Sequence, residues 1–292
     1  MKFQIVDDST PWKFNFGDMP EPEPQPQIVY DETKINVVKY DENMQLMPES
    51  LEYYDTLEDA WYDVEYSENP CHIHIGSSSS EVPFIQCDLY FISNLLSIDI
   101  PEGVTSFPES FLGSTNIQNL TIPASVISIG DDICIDCEYL QSIEVAYGNT
   151  AYVSEHGVLF NASKTKLIRY PSGNTRTRYT IPNGVTEILP NAFSKAISLE
   201  HITIPDSVTS IGYYAFIGCY LDWLAIPEGV QRIEEGLVTQ ADVVEIPHSV
   251  YYIDSSAFAA CGEAMTININ RVKDSIKGAP WGAYLAVVNW TG

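Results

Sequence analysis

The segment Leu199-Glu200-His201-Ile202-Thr203-Ile204-Pro205-Asp206-Ser207-Val208-Thr209-Ser210-Ile211-Gly212-Tyr213-Tyr214-Ala215-Phe216 is followed almost at once by a second version of itself. The second version begins Leu221-Asp222-Trp223-Leu224-Ala225-Ile226-Pro227 and runs on to Val230 and Ile233. In both, apolar residues stand six, three and one places before the proline and three and six places after it. The Ile-Pro pair recurs at Ile100-Pro101, Ile122-Pro123, Ile181-Pro182, Ile204-Pro205, Ile226-Pro227 and Ile246-Pro247. Three places after each proline stand Val104, Val126, Val185, Val208, Val230 and Val250; six places after stand Phe107, Ile129, Ile188, Ile211, Ile233 and Ile253. A further column holds Phe111, Ile133, Phe193, Phe216, Leu237 and Phe258. A register kept through so many copies is a structural repeat.

The spacing dictates the local structure. In Leu-x-x-Ile-x-Ile the last two apolar residues share one face of a short strand, because side chains alternate. Proline ends that strand, since it offers no N–H to a ladder. Val-x-x-Ile makes a second extended piece, and stretches such as Asn191-Ala192-Phe193 read as a helical turn that returns the chain. A lone coil cannot bury its apolar side, but stacked coils share a core. Each buried Leu, Ile or Phe then contributes roughly 1.5–3 kcal/mol. The wide gap between Pro123 and Pro182 holds a modified coil. Leu140, Ile143 and Val145 keep the register, but Ala146 replaces proline. Gly157-Val158-Leu159-Phe160-Asn161 and Lys166-Leu167-Ile168-Arg169-Tyr170-Pro171 then read as two strands of a hairpin-like insert over about 146–180.

The consensus Ile-Pro-x-x-Val-x-x-Ile-x-x-x-Ala-Phe-x-x-Cys-x-x-Leu-x-x-Ile-x-Ile-Pro resembles the BspA-type leucine-rich repeats of surface proteins from gut and oral bacteria and trichomonads. The resemblance covers about residues 92–270. The Gly-Val-Leu-Phe…Tyr-Pro insert is similar to a variant repeat of that family. The ending Gly278-Ala279-Pro280-Trp281-Gly282-Ala283, with Val287-Val288-Asn289-Trp290, resembles terminal segments of such proteins encoded by gut bacteria and their phages. The resemblance implies an α/β, β-rich fold: a leucine-rich-repeat solenoid with a parallel sheet and short helical turns, plus a small acidic N-terminal region.

Outside the repeats, residues 1–27 read as an N-terminal arm and a proline-rich polyproline II spacer. Residues 28–70 read as an acidic, aromatic-rich docking segment in which Leu51–Val64 fits a helix and irregular chain equally well. Residues 71–292 are the solenoid with its caps, 71–91 closing one end and 271–292 the other.

The chain carries 40 acids against 14 bases, for a formal net charge of −26. Such a surface repels phosphate backbones and anionic lipid, which argues against nucleic-acid and membrane-surface partners. No apolar stretch is long enough to span a membrane. The first ten residues have no apolar core of the secretory type, which predicts a chain that never took that route.

Several residue sets invite chemistry. Cys134 and Cys137 form a Cys-x-x-Cys, but Cys137, Cys219 and Cys261 share a column with Ser114 and Ala196. That column needs a small buried residue, and cysteine packs well as one. His72 and His74 face one side of a strand with Cys71 nearby, yet they lack a clear fourth metal ligand. No nucleophile elbow or phosphate loop is present. Neither catalytic residues nor cofactors nor metal are expected.

The outward strand positions line two columns, one running Ser97, Asn119, Ser142, His201, Trp223, Val243 and Thr266 and the other Asp99, Thr121, Glu144, Thr203, Ala225, Glu245 and Asn268. His201, Trp223 and Val243 break the small polar rule and make a candidate contact patch; the alternative packs Trp223 beneath a terminal segment of its own chain. Lys164, Lys166, Arg169, Arg176 and Arg178 make a second candidate, a basic patch on the insert. The expected role is non-enzymatic binding of a protein or glycan partner, with the N-terminal region meeting other subunits of an assembly. The resemblance implies a bacterial or host-facing surface. The unpromising start shifts the reading toward a phage tail, fibre or decoration component. A bacterial cell-surface or secreted adhesin is the alternative, and a metal-dependent enzyme using His72 and His74 stands third.

Overall fold

The computed structural model describes residues 28–292, apart from 80, 81, 83, 86, 88, 260, 262–264 and 274. The expected arm and proline-rich spacer lie outside the described residues. The chain winds as a stack of coils, each contributing a strand to a front sheet, a shorter strand to a second face and a return leg. Front strands are β3 (Cys71–Ile75), β4 (Leu95–Asp99), β6 (Asn119–Ile122), β8 (Ser142–Val145), β12 (Arg178–Thr180), β14 (His201–Thr203), β16 (Phe216–Ala225), β18 (Val238–Ile246), β20 (Thr266–Ile269) and β21 (Val287–Trp290). The Val-x-x-Ile pieces form β5 (Ser106–Phe107), β7 (Ser128–Ile129), β13 (Glu187–Ile188), β15 (Ser210–Ile211), β17 (Arg232–Ile233) and β19 (Tyr252–Ile253). Neighbouring coils pair in parallel, with Ile202 level with Tyr179 and Leu224 level with Val244.

Every valine of the Val column is buried. The residue before it holds the coils in register. Ser125, Ser207 and Ser249 donate Oγ–H to the carbonyls of Val104, Val185 and Val230 in the preceding coil, at 2.7, 2.7 and 2.8 Å. Past Ile211 and Ile129 the coils touch closely: a Cβ on Gly212 would fall 2.4 Å from the Pro190 nitrogen, and one on Gly130 would fall 2.4 Å from the Glu109 nitrogen.

The short helical turns of the return leg are realised as tight turns closed by i→i+3 hydrogen bonds, such as Ala192 N to Leu189 O and Ala196 N to Phe193 O. Asn191 and Lys195 take left-handed φ values of 55° and 56°, so a helix cannot propagate. Between those bonds the leg hydrogen-bonds across to the next coil, with Phe193 N reaching Ala215 O at 2.8 Å. In β16 and β18 the leg has straightened into continuous strand. Tyr170, Phe193 and Phe216 stack along the leg, with ring centroids 5.1 and 5.2 Å apart.

The insert is a three-stranded meander rather than a two-stranded hairpin. β9 (Tyr152–Glu155) and β10 (Val158–Asn161) turn at His156-Gly157, both with positive φ, as a two-residue type I′ hairpin requires. β10 then pairs with β11 (Lys166–Arg169), which joins β13 in parallel. The meander divides the core in two. Leu159 belongs to the core that runs from Ile35 to Ile143, while Val158 and Phe160 belong to the core that runs on to Ala283. The continuous apolar run Val-Leu-Phe therefore reflects a strand buried on both faces, not one shared continuous core.

The acidic segment 28–70 is continuous with the solenoid instead of standing apart as a docking unit. β1 (Ile35–Lys39) pairs antiparallel with β2 (Glu52–Tyr54) and with β3, giving the sheet order β2-β1-β3-β4. Helix α1 (Leu57–Glu65) begins at Thr56, whose side chain accepts from Asp59 N, and buries Leu57, Ala60 and Val64. Residues 28–65 are thus the cap, and β3 is already the first front strand. At the other end, β21 extends the sheet in parallel and Trp281 is buried, so the last segment closes the stack as one more coil. No helix among the described residues is long and apolar enough to cross a membrane.

Candidate functional site

The six-stranded front sheet has the order β12-β14-β16-β18-β20-β21. Its register brings Arg178, His201, Trp223, Val243, Thr266 and Val287 level in one row. Strand neighbours lie about 4.8 Å apart, and the row is held by backbone hydrogen bonds. Trp223 keeps 50% of its surface exposed. The C-terminal segment runs along the sheet edge as β21 and does not cover it. Asp222 Oδ2 lies 3.4 Å from His201 Nε2, placing a carboxylate beside the row. In the adjacent row Asn289 Nδ2 donates to Asn268 Oδ1 at 3.0 Å and Asn268 Nδ2 donates to Glu245 Oε1 at 2.8 Å. The structure therefore sets His201, Trp223, Val243 and Thr266 in one row and adds Arg178 and Val287 to its ends.

The five basic residues of the insert do not form a patch. Lys164 Nζ donates to Glu155 Oε2 at 2.6 Å, and Lys166 Nζ lies 2.7 Å from Glu187 Oε2. Arg176 Nη1 donates to the His156 carbonyl at 2.9 Å. Arg178 belongs to the sheet row. Arg169 is 2% exposed, so it is not a contact residue. Its Nε donates to the Ile133 carbonyl at 2.9 Å and its Nη1 to the Asn191 carbonyl, joining the coils on either side of the insert. Burial pushes its pKa down. It borders a cleft with Ile129, Asp132, Tyr152, Lys166 and Tyr213.

The cysteine column is a packing column. Cys137, Cys219 and Cys261 each donate S–H to a carbonyl of the preceding coil, those of Leu112, Phe193 and Val238, at 2.9, 3.1 and 3.3 Å. In the coil before Cys137 the position belongs to buried Thr115 rather than Ser114, with Thr115 Oγ1 3.5 Å from Cys137 Sγ. Burial pushes the Cys219 thiol up to about 12 and that of Cys261 to about 11.

A third group gathers at the cap. β3 lies level with β4, placing His72 beside Ser97 and His74 beside Asp99. The ring of Tyr30 stacks on His74 with centroids 4.1 Å apart and planes 6° from parallel. His74 Nδ1 is 3.4 Å from Asp99 Oδ2, and His74 Nε2 is 3.3 Å from Glu32 Oε1. The hydrogen bond to Asp99, then that to Glu32, raises the His74 pKa; contact with His72 first and His74 second holds Asp99 well below the usual carboxylate range. Among the described residues this is where three metal-ligating side chains of the histidine, cysteine or carboxylate kind converge. Ser97 and Asp99 head the two outward columns of the repeat. Extending those columns one coil back reaches His72 and His74, a signal that was present in the sequence. Glu32 and Tyr30 arrive from the cap and left no such signal.

The family profile described as the BspA type leucine rich repeat region matches residues 71–178 and 172–279, in 6 copies. Among solved structures, a leucine rich cell surface protein from Faecalibacterium prausnitzii A2-165 is similar over 74% of the chain and 63% of its own, at 26% identity and a TM-score of 0.59. A leucine-rich repeat protein from Eubacterium ventriosum ATCC 27560 is similar over 68% of the chain and 52% of its own, at 25% identity and a TM-score of 0.48. The chain thus spans less than two thirds of either relative's length. No curated protein matches it.

Proposed function

The chain belongs to the BspA-type leucine-rich repeat family, and on that premise we propose that it is a non-catalytic recognition module at a cell surface. It binds a protein or glycan partner across the outer face of the six-stranded sheet. The observation that carries this reading is the row His201–Trp223–Val243, in which a half-exposed tryptophan stands on a hydrogen-bonded ladder. A solvated sheet face is ordinarily small and polar. A large aromatic held there loses little freedom on binding and is the residue type that dominates contact hot spots. The cell-surface placement takes its support from the name of the Faecalibacterium relative. The phage-particle reading stands second, supported by the resemblance of the terminal segment alone. Contact with other subunits falls to the N-terminal residues preceding the cap.

The test is to screen the full chain against immobilised glycans and extracellular host proteins, then to repeat each positive with Trp223→Ala. Loss of a hot spot weakens binding about thirtyfold with an unchanged melting temperature. Unchanged binding, or a large fall in melting temperature, overturns the assignment. Antibody labelling of intact producing cells is expected to be positive; signal confined to a particle fraction favours the phage reading.

A further inference from the structure

We infer that His72, His74 and Asp99 form a binding site for a first-row divalent cation of the zinc class, with Glu32 and Ser97 orienting the two imidazoles. The site pins the N-terminal cap to the first two front strands. His72 is 5% exposed, and its Nε2 is buried without a hydrogen-bond partner. That nitrogen lies 3.3 Å from Asp99 Oδ2, close enough for an ion pair but not aligned for a hydrogen bond. Its other nitrogen, Nδ1, is 2.7 Å from Ser97 Oγ, which is itself 2.8 Å from the Tyr40 hydroxyl. With the proton on Nδ1 and given to Ser97, Nε2 points a bare lone pair toward a carboxylate oxygen. With the proton on Nε2, a buried N–H meets the Asp99 carboxylate only off its axis. Either state is costly, and a cation between the two atoms relieves the first.

Both distances from Asp99 to the histidines fit such a cation, and the three ligand atoms lie within 4.8 Å of one another. Zinc bonds histidine nitrogen at about 2.0–2.1 Å, so the donors around a tetrahedral ion stand about 3.3–3.4 Å apart. Asp99 Oδ2 is 3.3 Å from His72 Nε2 and 3.4 Å from His74 Nδ1. Metal-bound histidines characteristically give their second nitrogen's proton to a carboxylate or another fixed acceptor. Here Glu32 Oε1 lies 3.3 Å from His74 Nε2, Ser97 serves His72, and Tyr30 fixes the plane of the His74 ring. Two neutral imidazoles and one carboxylate favour zinc, copper, nickel or iron over calcium or magnesium, which prefer an all-oxygen set. Three protein ligands leave one coordination position open to solvent or to a partner's side chain.

The test uses the full chain, stripped with a chelator and dialysed, and titrated with zinc alone in the presence of millimolar calcium and magnesium. Expected are one zinc per chain, a rise in melting temperature on zinc addition, and on cobalt substitution the visible absorption of a four-coordinate ion. His74→Ala and Asp99→Asn lose binding and the melting-temperature response, and Glu32→Gln weakens binding by about 10–100-fold. Asp99 is exposed, so Asp99→Asn reports on the site even where a buried histidine change harms folding. No saturable zinc binding overturns the proposal. So does binding that survives both Asp99→Asn and Glu32→Gln, or that calcium displaces, since either marks diffuse attraction to an acidic surface.

Discussion

β10 separates two cores, so adjacent residues of one strand stabilise different halves of the molecule. Leu159 faces the N-terminal core and Phe160 the C-terminal one, both fully buried. Leu159→Ala removes three buried carbons, a transfer loss of about 2.4 kcal/mol. The cavity left where a double-sided strand cannot relax adds about 1–2 kcal/mol, for a total near 3–4 kcal/mol. Phe160→Ala falls in the range of about 3–5 kcal/mol. The assay is hydrogen exchange read by mass spectrometry under native conditions, beside urea denaturation. Leu159→Ala accelerates exchange in β4, β6 and β8 more than in β14, β16 and β18, and Phe160→Ala does the reverse. Equal acceleration of both halves by either change, or a loss below about 1 kcal/mol, refutes the divided core.

Other consequences follow from the same contacts. Gly212→Ala drives a Cβ into the Pro190 backbone and lowers stability by about 1–3 kcal/mol, measured as a lower denaturation midpoint; an unchanged midpoint contradicts the close approach. Arg169→Ala strips partners from the Ile133 and Asn191 carbonyls and costs about 2–5 kcal/mol, whereas a surface arginine would cost almost nothing. Iodoacetamide at pH 8 leaves Cys71, Cys134, Cys137 and Cys219 unmodified in the folded chain and labels them after unfolding. A thiol near 11 holds about a hundredfold less thiolate at that pH than an ordinary one, so labelling of Cys261 stays slow and rises tenfold per pH unit up to its raised pKa; rapid labelling at pH 8 contradicts its burial.

The repeat was legible because each column answers one physical demand. Valine three places after proline packs inward, isoleucine three further packs on the second face, and glycine follows where the coils nearly touch. Arg169 was misread by residue type, although alternation along Lys166-Leu167-Ile168-Arg169 sets it on the same face as buried Leu167. β9 was missed because Tyr152-Val153-Ser154-Glu155 is half-buried throughout and shows no alternation. The cap was hidden by composition: most of its acids, with Tyr53, Tyr62 and Tyr66, lie outward, while Ile35, Val37, Leu57 and Val64 carry the packing. The sheet row could be drawn before the structure was known, but Arg178 joined it only once β12 was seen to pair with β14. The His72–His74 pair was visible in the sequence, but its partner Asp99 was not, because an irregularity between Cys71 and His72 shifts the pairing with β4 off the repeat spacing.

The account rests on front strands lying side by side in register, and spin labels at Arg178 and Val287 test this directly. Five strand intervals separate these exposed positions along one row, which places their Cα atoms about 24 Å apart. Pulsed electron–electron resonance on the doubly labelled chain is predicted to give a single narrow distance distribution near that value. A broad distribution spanning tens of ångströms, or a sharp one far beyond it, contradicts the stacked ladder and the recognition face built on it.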